Sequence, residues 1–171
     1  SVYDYENIKV YLKNPCDTSS TSEVSLTVNF KPSCSQVTVS YPENNWVFNN
    51  SEAYKIDVNG NKINNKLPIT FTDFNTSFNG FKKIELQYRN GSSANWIKFQ
   101  TYYGSNDIKE EYGDENGIVI AGSDSEFTYN WDVIGDKIPD GNYEFRAISY
   151  CTDEVTFVSD IISGTINLSA P

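Results

Sequence analysis

From Gly141 to Cys151 apolar and polar residues alternate with a period of two, directly after the turn tripeptide Pro139-Asp140-Gly141. Strand side chains alternate between faces, so Tyr143, Phe145, Ala147 and Ser149 share one face of a predicted strand. The same pattern recurs along the chain. Val24 to Phe30 and Val37 to Tyr41 alternate, the second run ending at Pro42. Ala53 to Val58 ends at Asn59-Gly60, a tight-turn dipeptide, and Leu67 to Phe71 gives another short run. Phe81 to Tyr88 alternates, turns through Arg89-Asn90-Gly91-Ser92-Ser93, and returns through Asn95 to Gln100. In this hairpin Lys82, Ile84, Leu86 and Tyr88 form the expected core face, with Phe81, Lys83, Glu85 and Gln87 opposite. Glu126 to Asp132 places Phe127, Tyr129 and Trp131 in register, and Val155 to Ile166 supplies the last strand or pair of strands. Helical periodicity is scarce; one short helical turn is expected around Asp107–Glu111, in an acidic segment that otherwise reads as an exposed loop. Many short strands at this spacing predict an all-β sandwich.

A loose internal echo places a boundary. Tyr11-Leu12-Lys13-Asn14-Pro15-Cys16 leads into Ser22 to Val28, much as Ala147-Ile148-Ser149-Tyr150-Cys151 leads into Ser159 to Ile166. Residues 1–30 are therefore expected to be the closing hairpin of a preceding β domain or an N-terminal extension. Residues 31–171 are expected to form one complete sandwich. The chain contains no Met, so it is expected to be a segment of a longer polypeptide.

Composition removes several chemistries. His is absent, which takes away the usual general base and the commonest metal ligand; a Ser-His-Asp or Cys-His arrangement cannot be assembled. The net charge is −10 and Lys and Arg do not cluster, so neither nucleic acid nor an anionic membrane is an expected partner. No apolar run approaches the roughly 18 residues of a spanning helix, so membrane insertion is not expected. The three cysteines, Cys16, Cys34 and Cys151, lack metal-site spacing. In an oxidising compartment they permit one disulfide and one free thiol. Cys16–Cys34 would close a short loop and is preferred; Cys34–Cys151 would tie the start of a domain to its end.

Candidate sites divide into structural and binding readings. Tyr143, just after a turn, is placed to bond its hydroxyl back to upstream backbone as a tyrosine corner. Asp140 and Glu144 are better read as turn and polar-face residues than as a catalytic pair. Asp57-Val58-Asn59-Gly60-Asn61 spaces oxygen ligands like a calcium loop, but Pro68 stands where a bidentate Glu is needed. An Asn-Gly hairpin is the simpler reading. Asp107, Glu110, Glu111, Asp114 and Glu115 are a solvated loop unless several converge on a cation. No cofactor is expected, calcium being the one weighed. Tyr102, Tyr103 and Tyr112 are the candidate glycan contacts, whereas Trp96 and Trp131 are assigned to the core. Four Asn-X-Ser/Thr sequons, at Asn49, Asn75, Asn90 and Asn167, matter only in a eukaryotic secretory host.

Ile84 to Arg89 with Trp96-Ile97-Lys98 is similar to the C–C′ hairpin of fibronectin type III domains. Pro139 to Ala147 resembles their E–F corner and F strand, and Ser159 to Ile166 their G strand. With Cys151 and the closing Gly164-Thr165-Ile166-Asn167, the chain resembles repeats of very large secreted surface proteins of Bacteroidota, gliding adhesins among them. The resemblance implies a fibronectin type III-like (Ig-like) antiparallel β-sandwich, with long insertions at 42–66 and 104–124. It implies export to the cell surface and neighbouring β domains of the same polypeptide as partners, with a surface glycan or protein as a further one. The expected role is a non-catalytic structural or adhesive module. A carbohydrate-binding module is the alternative, and a two-carboxylate glycosidase comes third.

Overall fold

A computed structural model describes residues 5–13, 21–29, 37–74, 80–120, 125–151 and 156–169. The chain divides into two compact units, Ser1–Ser33 and Cys34–Pro171. In the first, β1 (Tyr5–Lys13) and β2 (Thr21–Asn29) pair antiparallel from Tyr5 opposite Asn29 to Lys13 opposite Thr21.

The second unit is mostly β with one short helix. Its three-stranded sheet runs β11 (Glu126–Trp131), β7 (Leu67–Thr72), β3 (Thr38–Tyr41). The larger sheet is built on β12 (Gly141–Cys151), flanked by β8 (Phe81–Asn90) and β14 (Ile162–Asn167). Beyond β8 lie β9 (Ile97–Tyr103) and β10 (Ile118–Val119); beyond β14 lies β4 (Trp46–Asn49). β13 (Thr156–Val158) also pairs with β12, and β5 (Tyr54–Ile56) and β6 (Lys62–Asn64) form a separate hairpin. Helix α1 (Asn106–Tyr112) follows β9; the Ser105 hydroxyl caps its start and Gly113, in the left-handed region, ends it. None of the described helices is long and apolar enough to cross a membrane.

One apolar cluster joins the two sheets. Leu67, Ile69, Phe71 and Trp131 enter it from the three-stranded sheet; Ile84, Leu86, Tyr143, Phe145 and Ala147 enter it from the larger one. Strict alternation produces this: β7 reads buried, half-buried, buried along its whole length. Trp131, 1% exposed, is the pivot, meeting Tyr88, Phe99, Tyr143 and Phe145 at ring-centroid distances of 5.0, 4.8, 5.6 and 5.7 Å. The contacts with Phe99, Tyr143 and Phe145 are edge-to-face, which adds to plain area burial.

The first strand changes sheets. β3 pairs antiparallel with β7; the chain then passes a cis Tyr41–Pro42 bond and Asn45 at φ 66°, and β4 joins β14 in parallel. β10 likewise pairs parallel with β9. The central ladders are antiparallel, but both edges of the larger sheet are parallel, so the expectation of a purely antiparallel sandwich is corrected. A strand that crosses from one sheet to the other without a hairpin keeps its direction and must pair that way. The insertion after it is the β5–β6 hairpin, closed by Asp57 and Gly60.

Two face assignments also change. Phe81 is buried instead of polar-facing, because the ladder slips between Tyr150 and Cys151 and pairs Cys151 with Phe81. Trp96 is outside the core: β9 begins one residue after it, and the Arg89 and Arg146 guanidiniums both lie against its ring, 4.4 and 4.1 Å from the centroid.

Candidate functional site

The turn before β12 is where the polar chemistry of the opening motif is used. Tyr143, 2% exposed, donates its hydroxyl to the Pro139 carbonyl at 2.8 Å and accepts from Asn90 Nδ2 at 3.3 Å. Asp140 accepts from the Leu168 amide at 2.8 Å and from the backbone and hydroxyl of Ser169. Those bonds, the Ser169 hydroxyl foremost, hold its carboxyl below the ordinary value. Asp140 thus fastens the end of β14 to the start of β12. Glu144 takes Arg89 Nε and Nη2, both at 2.5 Å, across the strand pair that sets Glu144 opposite Arg89.

These two carboxylates belong to different devices. Glu144 opens a ladder on the outer face of the larger sheet. Beside it Arg146 Nε donates to Gln87 Oε1 at 2.9 Å, and Gln87 Nε2 donates to Glu85 Oε2 at 3.2 Å. Glu85 also accepts from Tyr150 at 3.0 Å and Lys83 at 2.8 Å. Burial works to raise the Glu85 carboxyl, yet the Lys83 ammonium and these bonds leave it lowered on balance. Lys83 is 8% exposed, its ammonium lying over the rings of Tyr112 and Tyr150 at 4.2 and 4.6 Å. Sequence reasoning missed this ladder and the Trp96 cradle. The available signal was Tyr150 alternating with Arg146 and Glu144 on the polar face of its strand.

The tyrosine platform is corrected. Tyr102 and Tyr103 are 3% and 2% exposed and cannot stack on a sugar from solvent. Neighbouring strand residues point to opposite faces, so one of the pair should stay open. Here Tyr102 enters the core against Phe71 and Phe127, while the segment around α1 folds over the outer face and covers Tyr103. Tyr103 donates to Asp114 Oδ2 at 3.0 Å, and Gly117 packs so close that a Cβ there would fall 2.3 Å from its ring. Burial pushes the Tyr102 and Tyr103 hydroxyls up to about 12. Tyr112 alone remains open, at 43% exposure, beside Lys83.

The two acidic segments are also spent locally. Asp57 Oδ1 accepts from the Asn59 and Asn61 amides at 2.9 and 2.8 Å, and Oδ2 accepts from Asn61 Nδ2 at 3.2 Å. That is a side-chain turn closing the β5–β6 hairpin, and the Asn61 bonds lower the carboxyl. Asp114 serves Tyr103, Lys98 and the Asn116 amide, and Glu111 approaches Lys82 at 4.0 Å. Among the described residues no three His, Cys, Asp or Glu side chains are grouped to hold a metal ion.

Cys151, 4% exposed, is disulfide-bonded. The chain's other cysteines are Cys16 and Cys34, both outside the described residues. The expected Cys16–Cys34 pair therefore lies outside the described residues as well.

These features define a class: a mostly β unit whose reactive-looking side chains are bonded strand to strand. Compared with known proteins, the chain is similar to the fibronectin(III)-like modules of Clostridium thermocellum CbhA, at 16% identity and a TM-score of 0.36. The similarity covers 98% of this chain and 64% of that one, so the chain spans less than two thirds of its length. No family model matches the chain, and no curated protein matches it.

Proposed function

We propose that residues 34–171 are a fibronectin type III-like, Ig-related module. It acts as a non-catalytic spacer or adhesive element of a large exported surface protein, next to other β domains of the same polypeptide. The observation that carries this reading is the use of its chemical groups. Asp57, Glu85, Asp114 and Asp140 each hold backbone or side-chain donors that tie structure together. The strand order β11-β7-β3 facing β9-β8-β12-β14, with a tyrosine bonded back across the turn before β12, supports the fold assignment. The disulfide at Cys151 supports an oxidising, extracellular setting. A rigid sandwich with a net charge of −10 suits repeated display in water.

Protease shaving of intact source cells, followed by detection with antibodies against residues 34–171, tests the reading. Loss of the antigen from intact cells is expected. Antigen protected until the cells are lysed overturns it.

A further inference from the structure

The strand switch leaves a cleft of about 810 Å³ on the surface, which none of the bonded groups above occupies. It lies between the 41–48 crossover, the entry and exit of the β5–β6 hairpin, and Asn130 of β11. That volume falls in the range of small-ligand sites. Three rings border it. Trp46 lines it but is buried, 9% exposed with its ring stacked on Phe145 at 5.0 Å and 5°, so it senses the cleft without offering an open ring face. Tyr41 is 48% exposed at the rim, and Tyr54 carries Lys62 Nζ 3.7 Å from its centroid.

The polar lining is planar and short. Asn44, Asn65 and Asn130 are amides; Glu43 and Glu52 are the carboxylates and Lys66 the cation. Much of it is braced in advance. Asn44 Oδ1 accepts from the Ser163 amide and hydroxyl at 2.8 and 3.1 Å, which leaves its Nδ2 to donate outward. Asn65 Nδ2 donates to the Glu52 carbonyl at 2.9 Å, which leaves its Oδ1 to accept. The Asn45 amide bonds the Ser163 carbonyl at 2.7 Å, pinning the crossover to β14. Trp46 Nε1 is one of two buried side-chain atoms with no partner among the described residues.

We propose that this cleft binds a neutral oligosaccharide. A pyranose presents apolar C–H faces that stack on aromatic rings and vicinal hydroxyls that pair with planar amides and carboxylates. The cleft supplies both kinds of surface within one pocket. Its two Glu and one Lys disfavour a phosphate or a uronic-acid polymer. The site stands apart from Tyr112, which lies beside Lys83 on the outer face of the larger sheet. The proposal does not depend on where the parent protein resides, so either reading can fail without the other.

Titration of tryptophan emission and amide NMR shifts with cellohexaose, xylohexaose, mannohexaose and chitohexaose, against hexagalacturonic acid, tests it. At least one neutral hexasaccharide is expected to saturate, with shifts confined to residues 41–54, 65–68 and 130. Tyr41→Ala and Asn130→Ala, both at exposed positions, are each expected to weaken binding about tenfold or more, and Tyr112→Ala to leave it unchanged. The proposal is overturned if no neutral hexasaccharide binds at about 10 mM, weaker than a usual protein–sugar contact. It is equally overturned if binding persists in both cleft variants, or if an added extended peptide, and no sugar, perturbs the free edge of β4.

Discussion

Gly164 sits at mid-strand in β14, where an alanine would ordinarily be harmless or mildly favourable. A Cβ on Gly164 would fall 2.1 Å from Trp46 Cδ2 and 2.2 Å from Cε2. Carbon atoms rest about 3.5–4.0 Å apart, so the indole must retreat by roughly 1.5 Å. Two things oppose that retreat. The ring is stacked in parallel with Phe145, and β4 is held in register by the pairing of Gly164 with Trp46. Gly164→Ala therefore forces overpacking and loosens the stack, at a combined cost of about 2–4 kcal/mol.

Urea denaturation of the wild type, both single variants and the double variant reads this directly. With m of about 1–3 kcal/mol/M, the Gly164→Ala midpoint should fall by about 1–2 M while m holds. In a Trp46→Ala background the obstacle is gone, and Gly164→Ala should move stability by no more than about 0.5 kcal/mol. An equal cost in both backgrounds would refute the steric argument and place the effect in the β14 backbone itself.

Tyr143→Phe keeps the ring and deletes the bond to Pro139; a loss of about 1–2 kcal/mol in the same assay is expected, against about 3–5 kcal/mol for Trp131→Ala at the pivot. At high pH, Tyr102, Tyr103 and Tyr150 have folded values raised to about 12 from 10.0, chiefly by burial. A raised folded value gives stability that is complete below pH 10 and lost as pH climbs towards 12. Tyrosinate absorbance should therefore lag behind a free-tyrosine curve and then rise together with unfolding. At low pH the sign reverses for Glu85: its folded value lies below the ordinary 4.5, so its contribution is present above that pH and drains away as pH falls. Glu85→Gln should flatten the acid limb of the stability–pH curve, and an unchanged limb would remove Glu85 from the account.

The β content and the apolar faces were readable because alternation is a local property. β12 shows this best: Tyr143, Phe145, Ala147 and Ser149 follow from spacing alone, and all four are buried. What alternation cannot register is cover supplied from elsewhere in the chain. Tyr103 and Lys83 lie on a polar face by count, and both are buried because the segment around α1 returns over them. Phe81 changes face through a one-residue slip against Cys151, and no sequence window contains both strands. The parallel joining of β4 to β14 has the same origin, since it pairs Trp46 with a residue far along the chain. The cleft arises at that crossover and was hidden for the same reason; its aromatic and amide residues are scattered from Tyr41 to Asn130.

Two sheets sharing a single core around Trp131 must open together, and native-state amide hydrogen exchange measures that. Amides of β7 and β11 should show opening free energies within about 1 kcal/mol of those in β8 and β12, while the β5–β6 hairpin exchanges far faster. Exchange of the three-stranded sheet at hairpin-like rates, with β8 and β12 still protected, would mean that the two sheets do not close on each other.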